Sequence, residues 1–146
     1  QKTAYEIMPS LVGSEMCIRD SLKNFCQKTK KYFNVQAFEF RHKSWIDSEI
    51  AQILKKFGFS YVSADWPQKL SFVKRKGFQK IPPTADFVYI RRHGPGTLYS
   101  SSYNKNQLQE DAKEIKKIDK TVFVFFNNDS QGFAVKNAQT LIKLLK

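Results

Sequence analysis

Cysteine, glycine-rich motifs and long apolar runs are all scarce in this sequence, and each shortage narrows the possible functions. Of the two cysteines, Cys17 lies in an N-terminal stretch that reads as foreign sequence, which leaves Cys26. A single cysteine forms neither an internal disulfide nor a zinc site, and its place on an apolar helical stripe predicts a core residue. No run is long and apolar enough to span a membrane. We therefore expect a reducing, cytoplasmic setting and no membrane partner.

Signatures of cofactor and covalent chemistry are missing as well. No glycine-rich phosphate loop follows a predicted strand, which disfavours a dinucleotide-binding fold. No serine occupies a nucleophile elbow, and Cys26 is predicted to lie far from the strand ends. A metal site needs three or four converging ligands, and no tight spacing groups the available histidines and acids, which are Glu39, His42, Asp65, His93 and Asp129. The sequence predicts no metal site and identifies no cofactor.

The first 21 residues resemble translated sequencing-adapter sequence. Residues 15–20 read EMCIRD, which is the translation of a transposase end used in library preparation, and residues 1–7 match a flow-cell primer upstream of it. A signal peptide is the alternative, but charged residues interrupt any apolar core and no small-residue cleavage site follows. We expect residues 1–21 to be non-native and residues 22–146 to be the genuine domain.

Positive charge dominates, with 25 Lys and Arg against 13 Asp and Glu and a formal net charge of +12. Such a protein attracts polyanions at low salt. The most basic connection is residues 66–83, where lysines alternate with Phe72 and Phe78, a mixture suited to neutralising phosphates and stacking on bases. A nucleic-acid-binding loop is one interpretation. A lysine-rich solvated surface is the other, and we favour it.

Helical and strand patterns alternate along the rest of the chain. Apolar stripes predict four helices, and short β-favouring runs predict four strands, at residues 35–40, 59–64, 86–91 and 121–126. Ser44 is predicted to open the second helix and Gly58 to end it, while Asn104 and Gln107 cap the third. The continuous apolar run TVFVFF at residues 121–126 predicts a strand covered on both faces. This alternation predicts an α/β fold with a parallel sheet, either a closed barrel or an open doubly wound sheet.

Each predicted strand ends in charged or amide side chains, and parallel strands bring such ends to one face. The four ends read EFRH, DWP, RRHG and NND, and both histidines of the chain lie among them. Glu39 and Arg41 are two residues apart and share a face, where they either pair with each other or contact a ligand. His42 and His93 are candidate general acids or bases, because imidazole titrates near neutral pH.

The same segments resemble the YecE-like family. FEFRHKSW at residues 38–45, YIRRHG at 89–94 and FFNND at 125–129 are similar to its motifs, and Tyr99 and Tyr103 lie in a tyrosine-containing loop as in that family. The resemblance covers residues 22–146. It implies the C-terminal half of a (β/α)8 TIM-like barrel, with about four parallel strands alternating with helices, in uncharacterised proteins about twice this length. Arg92 departs from the family pattern, which favours an apolar residue there.

These patterns predict a site at the mouth formed by the strand ends. The predicted catalytic residues are Glu39, His42 and His93. The predicted ligand-binding residues carry guanidinium, carboxylate, phenol or amide groups: Arg41, Asp65, Arg91, Arg92, Tyr99, Tyr103, Asn127 and Asn128. The arginines suit a small anionic ligand bearing phosphate or carboxylate.

Several structural alternatives stay open. Asp65 is also a candidate turn former, His42 a candidate helix cap, and Asn128 or Asp129 a candidate cap of the last helix. Whether the protein is an enzyme is left open by the sequence. An inactive truncated fragment that self-associates through open strand edges is a further alternative.

Overall fold

The computed structural model describes residues 18–65 and 82–146, and the chain divides into two compact units, Gln1–Gln36 and Ala37–Lys146. In the first unit residues 18–29 are helical and form α1. Cys26 is buried, as its apolar stripe predicted, and burial raises the pKa of its thiol. No helix in the described ranges has both the length and the apolar character needed to cross a membrane.

The second unit alternates short parallel strands with helices. The strands are β1 (Ala37–Phe38), β2 (Ser60–Tyr61), β3 (Ser63–Asp65), β4 (Phe87–Arg92) and β5 (Thr121–Phe126), and the helices are α2 (Ser48–Phe57), α3 (Lys105–Ile115) and α4 (Phe133–Leu145). β1 pairs with β2, and β3, β4 and β5 form a second sheet in that order. All of these pairings are parallel. The α/β fold with parallel strands that the sequence predicted is therefore confirmed.

β2 and β3 are two halves of one extended segment that changes partner at Val62. On one edge the Val62 N–H donates to the Phe38 carbonyl at 2.9 Å. On the other edge the buried Thr84 hydroxyl accepts from the Tyr61 N–H at 2.8 Å and donates to the Phe59 carbonyl at 2.7 Å. Beyond Val62 the segment pairs with β4. This staggered pairing makes the order of the strands in space follow their order in the chain.

Helices α3 and α4 cover one face of β4 and β5. Ile90 is fully buried there against Ala112, Ile115 and Leu141. The opposite face carries Phe123 and Phe125, whose exposed fractions are 44% and 46%. The prediction that β5 is covered on both faces is therefore wrong for the residues that the structure describes. Its apolar side chains alternate between a packed face and an open one.

The termini of the helices test the capping predictions. Gly58 follows α2 with φ 72°, and its N–H bonds to the carbonyls at the end of that helix, as predicted. The predicted capping box of α3 is confirmed, because the Gln107 N–H donates to Asn104 Oδ1 at 3.0 Å and the Asn104 N–H to Gln107 Oε1 at 2.9 Å. No side-chain cap precedes α4, which follows Gly132, so the predicted Asn128 or Asp129 cap is wrong.

The predicted start of the second helix at Ser44 is also wrong. α2 begins at Ser48, and Asp47 is its N-cap, with the Glu49 N–H donating to Asp47 Oδ1 at 3.0 Å. Ser44 instead lies in a separate 3-10 turn, Lys43–Trp45. The Trp45 ring stacks on Phe40 at a centroid distance of 4.8 Å, which holds this turn against the end of the first strand and separates it from the helix.

A buried ion pair ties β4 to α3. Arg92 Nη2 lies 2.5 Å from Asp111 Oδ1, and Arg92 Nη1 lies 3.5 Å from Asp65 Oδ2. Burial raises the pKa of Asp111 to about 6, although the Arg92 charge opposes that rise. Arg92 stands where the YecE-like pattern favours an apolar residue, and the acid on the facing helix explains how the sheet accommodates it.

We predict that Arg92→Met lowers the free energy of unfolding at pH 7 by about 3 kcal/mol, because Asp111 is left buried without its partner. The double variant Arg92→Met/Asp111→Leu should recover most of this loss. Arg92 opposes the rise in the pKa of Asp111 that burial causes, so its removal lets that pKa rise further. The folded variant then takes up the Asp111 proton at a higher pH than the folded wild type does. The stability deficit of the single variant should therefore shrink as pH falls from 7 to 5. Urea denaturation at both pH values measures this, and equal stability of the two variants would contradict it.

Candidate functional site

The parallel strands bring four polar side chains together at one end of the sheet. Glu39 follows β1, Asp65 ends β3, His93 follows β4, and Asn127 follows β5. Because the carboxyl ends of parallel strands meet at one edge, these residues come from distant parts of the chain to a shared mouth. The placement that the sequence predicted is confirmed. The chemical roles assigned to these residues stay predictions.

Glu39 is the centre of the mouth. Its Oε2 accepts from Arg91 Nη1 at 2.7 Å, and its Oε1 accepts from Arg41 Nε at 3.3 Å. Oε1 also lies 3.3 Å from His93 Nε2. Burial alone would raise the pKa of Glu39, but the contacts with His93 and Arg91 outweigh it and lower the pKa to about 2. Glu39 is thus an ionised, acceptor-only group at neutral pH.

Asn127 holds Arg91 and His93 from the β5 side. Its backbone N–H donates to the Arg92 carbonyl at 2.9 Å. With the amide oriented as its neighbours require, its oxygen accepts from Arg91 Nη2 at 3.1 Å and its nitrogen donates to His93 Nδ1 at 2.9 Å. The amide oxygen also lies 3.0 Å from His93 Nδ1, so this contact fits either tautomer of the ring. The Glu39 carboxylate, which can only accept, favours a proton on Nε2, the ring nitrogen that faces it.

His93 lies behind Glu39 and has no exposed surface. The Tyr99 ring packs edge-on against the imidazole at a centroid distance of 5.6 Å. The Tyr99 N–H donates to the His93 carbonyl at 2.7 Å, and the Ser130 N–H donates to the Tyr99 carbonyl at 3.3 Å. Tyr99 adopts a positive φ of 62°, a conformation that non-glycine residues adopt only where their surroundings fix it. In this conformation the imidazole is therefore enclosed by the protein, and its Nε2 faces Glu39.

Asp65 and Tyr103 fix the backbone of the loop that follows β4. Asp65 Oδ1 accepts from the His93 N–H at 2.8 Å, and Asp65 Oδ2 accepts from the Tyr103 hydroxyl at 2.5 Å. The same hydroxyl accepts from the Gly94 N–H at 2.7 Å. Burial, reinforced by the Asp65 charge, raises the pKa of Tyr103 well above its usual value. Both side chains are thus engaged in holding His93 in place.

Gly94 permits a close approach within the protein. Its φ is 115°, and a Cβ placed there would lie 2.8 Å from the Ser101 Oγ and 3.0 Å from the Thr97 carbonyl oxygen. The space beside Gly94 is filled by the loop itself. A side chain at this position would displace the loop that carries Tyr99 and Tyr103.

Asn128 and Asn137 anchor that loop from behind. Asn128 is fully buried, and its Nδ2 donates to the Ser101 carbonyl at 2.8 Å and to Asn137 Oδ1 at 2.9 Å. Asn137 Oδ1 also accepts from the Tyr103 N–H at 3.2 Å, and Asn137 Nδ2 donates to the Tyr103 carbonyl at 3.1 Å. Sequence reasoning assigned Asn128 to ligand binding and gave Asn137 no role. The sequence offered one signal for Asn137, which is its place between Ala134 and Leu141 on the buried stripe of α4.

The other predicted residues lie at the rim or outside the described ranges. His42 is exposed, and its Nδ1 accepts from the Ser44 N–H at 3.3 Å and lies 2.9 Å from Ser44 Oγ. It thus caps the Lys43–Trp45 turn, one of the two alternatives left open by the sequence. Within residues 18–65 and 82–146, no three His, Cys, Asp or Glu side chains are grouped to hold a metal ion. Most of the basic loop, residues 66–81, lies outside the described residues.

We predict that Glu39→Gln lowers the free energy of unfolding at pH 7 by about 3 kcal/mol, the value that corresponds to a pKa lowered from 4.5 to about 2. A lowered pKa stabilises the folded state above the unfolded pKa. The difference between wild type and variant should therefore be constant above pH 5 and shrink as pH falls toward 2. Urea denaturation across this range measures it. Glu114→Gln, which removes a half-buried carboxylate paired with Lys117 on α3, is the matched control, and a pH-independent difference for Glu39→Gln would refute the assignment.

Comparison with known proteins relates this mouth to a family. The sequence profile described as "Protein of unknown function DUF72" matches residues 8–146. The fold is similar to crystal structures of DUF72 family proteins from Enterococcus faecalis (25% identity, TM-score 0.68) and Thermotoga maritima (27% identity, TM-score 0.66). Each match covers 84% of this chain but only 52% and 51% of the respective relative.

The chain therefore spans about half the length of these two structures. No functionally curated protein matches it. The profile match covers nearly the whole sequence and is consistent with the YecE-like motifs at the strand ends. The chain belongs to the DUF72 family of proteins of unknown function.

Proposed function

We propose that the mouth at the carboxyl ends of the strands binds a small anionic ligand bearing phosphate or carboxylate. The observation that carries this proposal is the fixation of Arg91. Its Nη1 is held by Glu39 and its Nη2 by Asn127, while 28% of its side chain remains exposed. A guanidinium already held in place loses little freedom when it binds a ligand. Arg41, beside the same carboxylate and 62% exposed, supplies a second cation at the rim.

The geometry favours binding over acid–base catalysis by the predicted catalytic residues. Glu39, with a pKa of about 2, is too weak a base for efficient proton transfer at neutral pH. His93 is buried behind Glu39 and Tyr99. His42 is exposed but engaged with Ser44. We therefore propose that Glu39 orients the arginines and that His93 positions Glu39.

We also infer that the described strands correspond to the C-terminal half of a (β/α)8 barrel, with residues 22–146 as the native domain. The sequential parallel order of the strands supports this inference, because each barrel strand pairs with its neighbours in sequence. The open face that carries Phe123 and Phe125 supports it too, since the interior of a barrel is filled by such side chains. The two similar structures, about twice as long, are consistent with a second half.

We predict that wild-type protein binds inorganic phosphate and that Arg91→Gln weakens this binding about tenfold or more, since it removes a charge-assisted hydrogen bond. Titration followed by NMR chemical shifts suits the expected weak affinity. Lys143→Gln is the matched control, because it removes one positive charge in the last turn of α4. That end of the helix lies away from the mouth. Binding that is absent in wild type, or weakened equally in both variants, would refute the proposed site.

The same variants distinguish the proposed anion site from the alternative, a nucleic-acid-binding loop at residues 66–83. Oligonucleotide binding that weakens steeply with salt and is unaffected by Arg91→Gln would favour that loop. Absence of oligonucleotide binding even at low salt would exclude it. Its only support is the basic and aromatic composition of the segment.

We predict that the chain of residues 1–146 self-associates in solution, and that residues 22–146 expressed alone do so too. The exposed fractions of Phe123 and Phe125, 44% and 46%, leave an apolar face open, and open strand edges promote self-association. Size-exclusion chromatography with circular dichroism measures this. A monodisperse monomer with a cooperative thermal transition would contradict the half-barrel inference, whereas a discrete dimer would indicate that two copies cover each other's open face.

A further inference from the structure

We propose that the ligand of this mouth carries a hydrogen-bond donor, a hydroxyl or an ammonium group, beside its anionic group, and that Glu39 accepts from that donor. The inference rests on the proposed anion site and specifies the class of molecule that fills it. Hydroxy acids, amino acids and hydroxyl-bearing phosphates belong to this class. Simple alkyl carboxylates and alkyl phosphates do not.

Glu39 has accepting capacity that its partners within the described residues do not use. An ionised carboxylate offers about four acceptor positions. Oε1 is engaged by Arg41 and His93, and Oε2 is engaged by Arg91. Within residues 18–65 and 82–146, Arg91 is the one group bonded to Oε2, which leaves a second acceptor position on that oxygen. The Glu39 side chain is 11% exposed, so a small part of it can be reached from solvent.

The charges of Arg91 and Glu39 lie side by side in the mouth. Arg91 Nη1 is 2.7 Å from Glu39 Oε2, so an anionic group that binds the outer edge of Arg91 lies close to the Glu39 carboxylate. A plain anion meets repulsion from this negative charge at short range. A donor on the neighbouring ligand atom replaces that repulsion with a charge-assisted hydrogen bond. The mouth is therefore complementary to a pair of groups, one anionic and one donating.

The groups around Glu39 restrict its motion. His93 Nε2 faces Oε1 of Glu39, Asn127 holds the other nitrogen of the ring, and Asp65 accepts from the His93 backbone N–H at 2.8 Å. Glu39 thus has a fixed orientation and cannot turn away to relieve repulsion from an anion. A carboxylate held in this way favours ligand groups that donate a hydrogen bond and disfavours ligand groups that can only accept one.

Matched probe pairs test the inference on the chain of residues 1–146. Lactate is compared with propionate, and 2-hydroxyethyl phosphate with ethyl phosphate, by NMR titration at constant ionic strength. We expect the hydroxylated member of each pair to bind roughly tenfold more tightly, as for a hydrogen bond to a charged group. In Glu39→Gln this ratio should fall to within about twofold, while Glu114→Gln should keep the wild-type ratio.

The outcomes separate this inference from the proposed anion site. Equal affinity for both members of each pair in wild type, with binding lost in Arg91→Gln, would overturn the inference and leave the anion site intact. No binding of any probe would overturn both. The wild-type ratio alone decides the first case, so the test holds even where Glu39→Gln fails to fold.

Discussion

The alternation of side chains at the end of β4 determines how the rest of the mouth is built. Neighbouring arginines on a strand point to opposite faces. Arg91 is therefore directed to Glu39 and Asn127, while Arg92 is directed to Asp111 on α3. One face of the strand end is a partly exposed polar site, and the other is a buried ion pair that secures the sheet to its covering helix. The same two residues thus contribute to the candidate site and to the stability of the sheet.

A chain of buried polar contacts connects the last helix to the centre of the mouth. Asn137 on α4 holds both backbone groups of Tyr103, whose hydroxyl donates to Asp65. Asp65 in turn accepts from the backbone of His93, and His93 faces Glu39. Buried polar groups of this kind cost free energy when they lose their partners. The network therefore specifies one conformation of the loop after β4, and with it the orientation of the Glu39 carboxylate.

The sequence predicted the elements and their common end better than it predicted the partners within the site. Gly58 and the Asn104–Gln107 capping box act within a few residues of each other, so local pattern reveals them. Asp111 and Asn137 reach their partners across 19 and 34 residues, and periodicity alone carries no information on such pairs. Each was visible only as a polar residue on an apolar helical stripe.

Two wrong predictions have a similar physical origin. Ser44 has the composition of a helix start, but the stacking of Trp45 on Phe40 produces a separate turn before α2. The run at residues 121–126 reads as doubly covered, yet α3 and α4 pack against one face only. In both cases tertiary contacts, or their absence among the described residues, decide between conformations that the local sequence allows.

The change of partner within the segment that contains β2 and β3 has a mechanical consequence. Its first half is bonded to β1 and its second half to β4, so a pulling force between those two strands has no single row of hydrogen bonds to share it. The load passes lengthwise through the backbone at Val62. On the β4 side of the first half, the Thr84 side chain bridges Tyr61 and Phe59 in place of a strand. A single hydroxyl thus supplies the two hydrogen bonds that hold this edge of the segment.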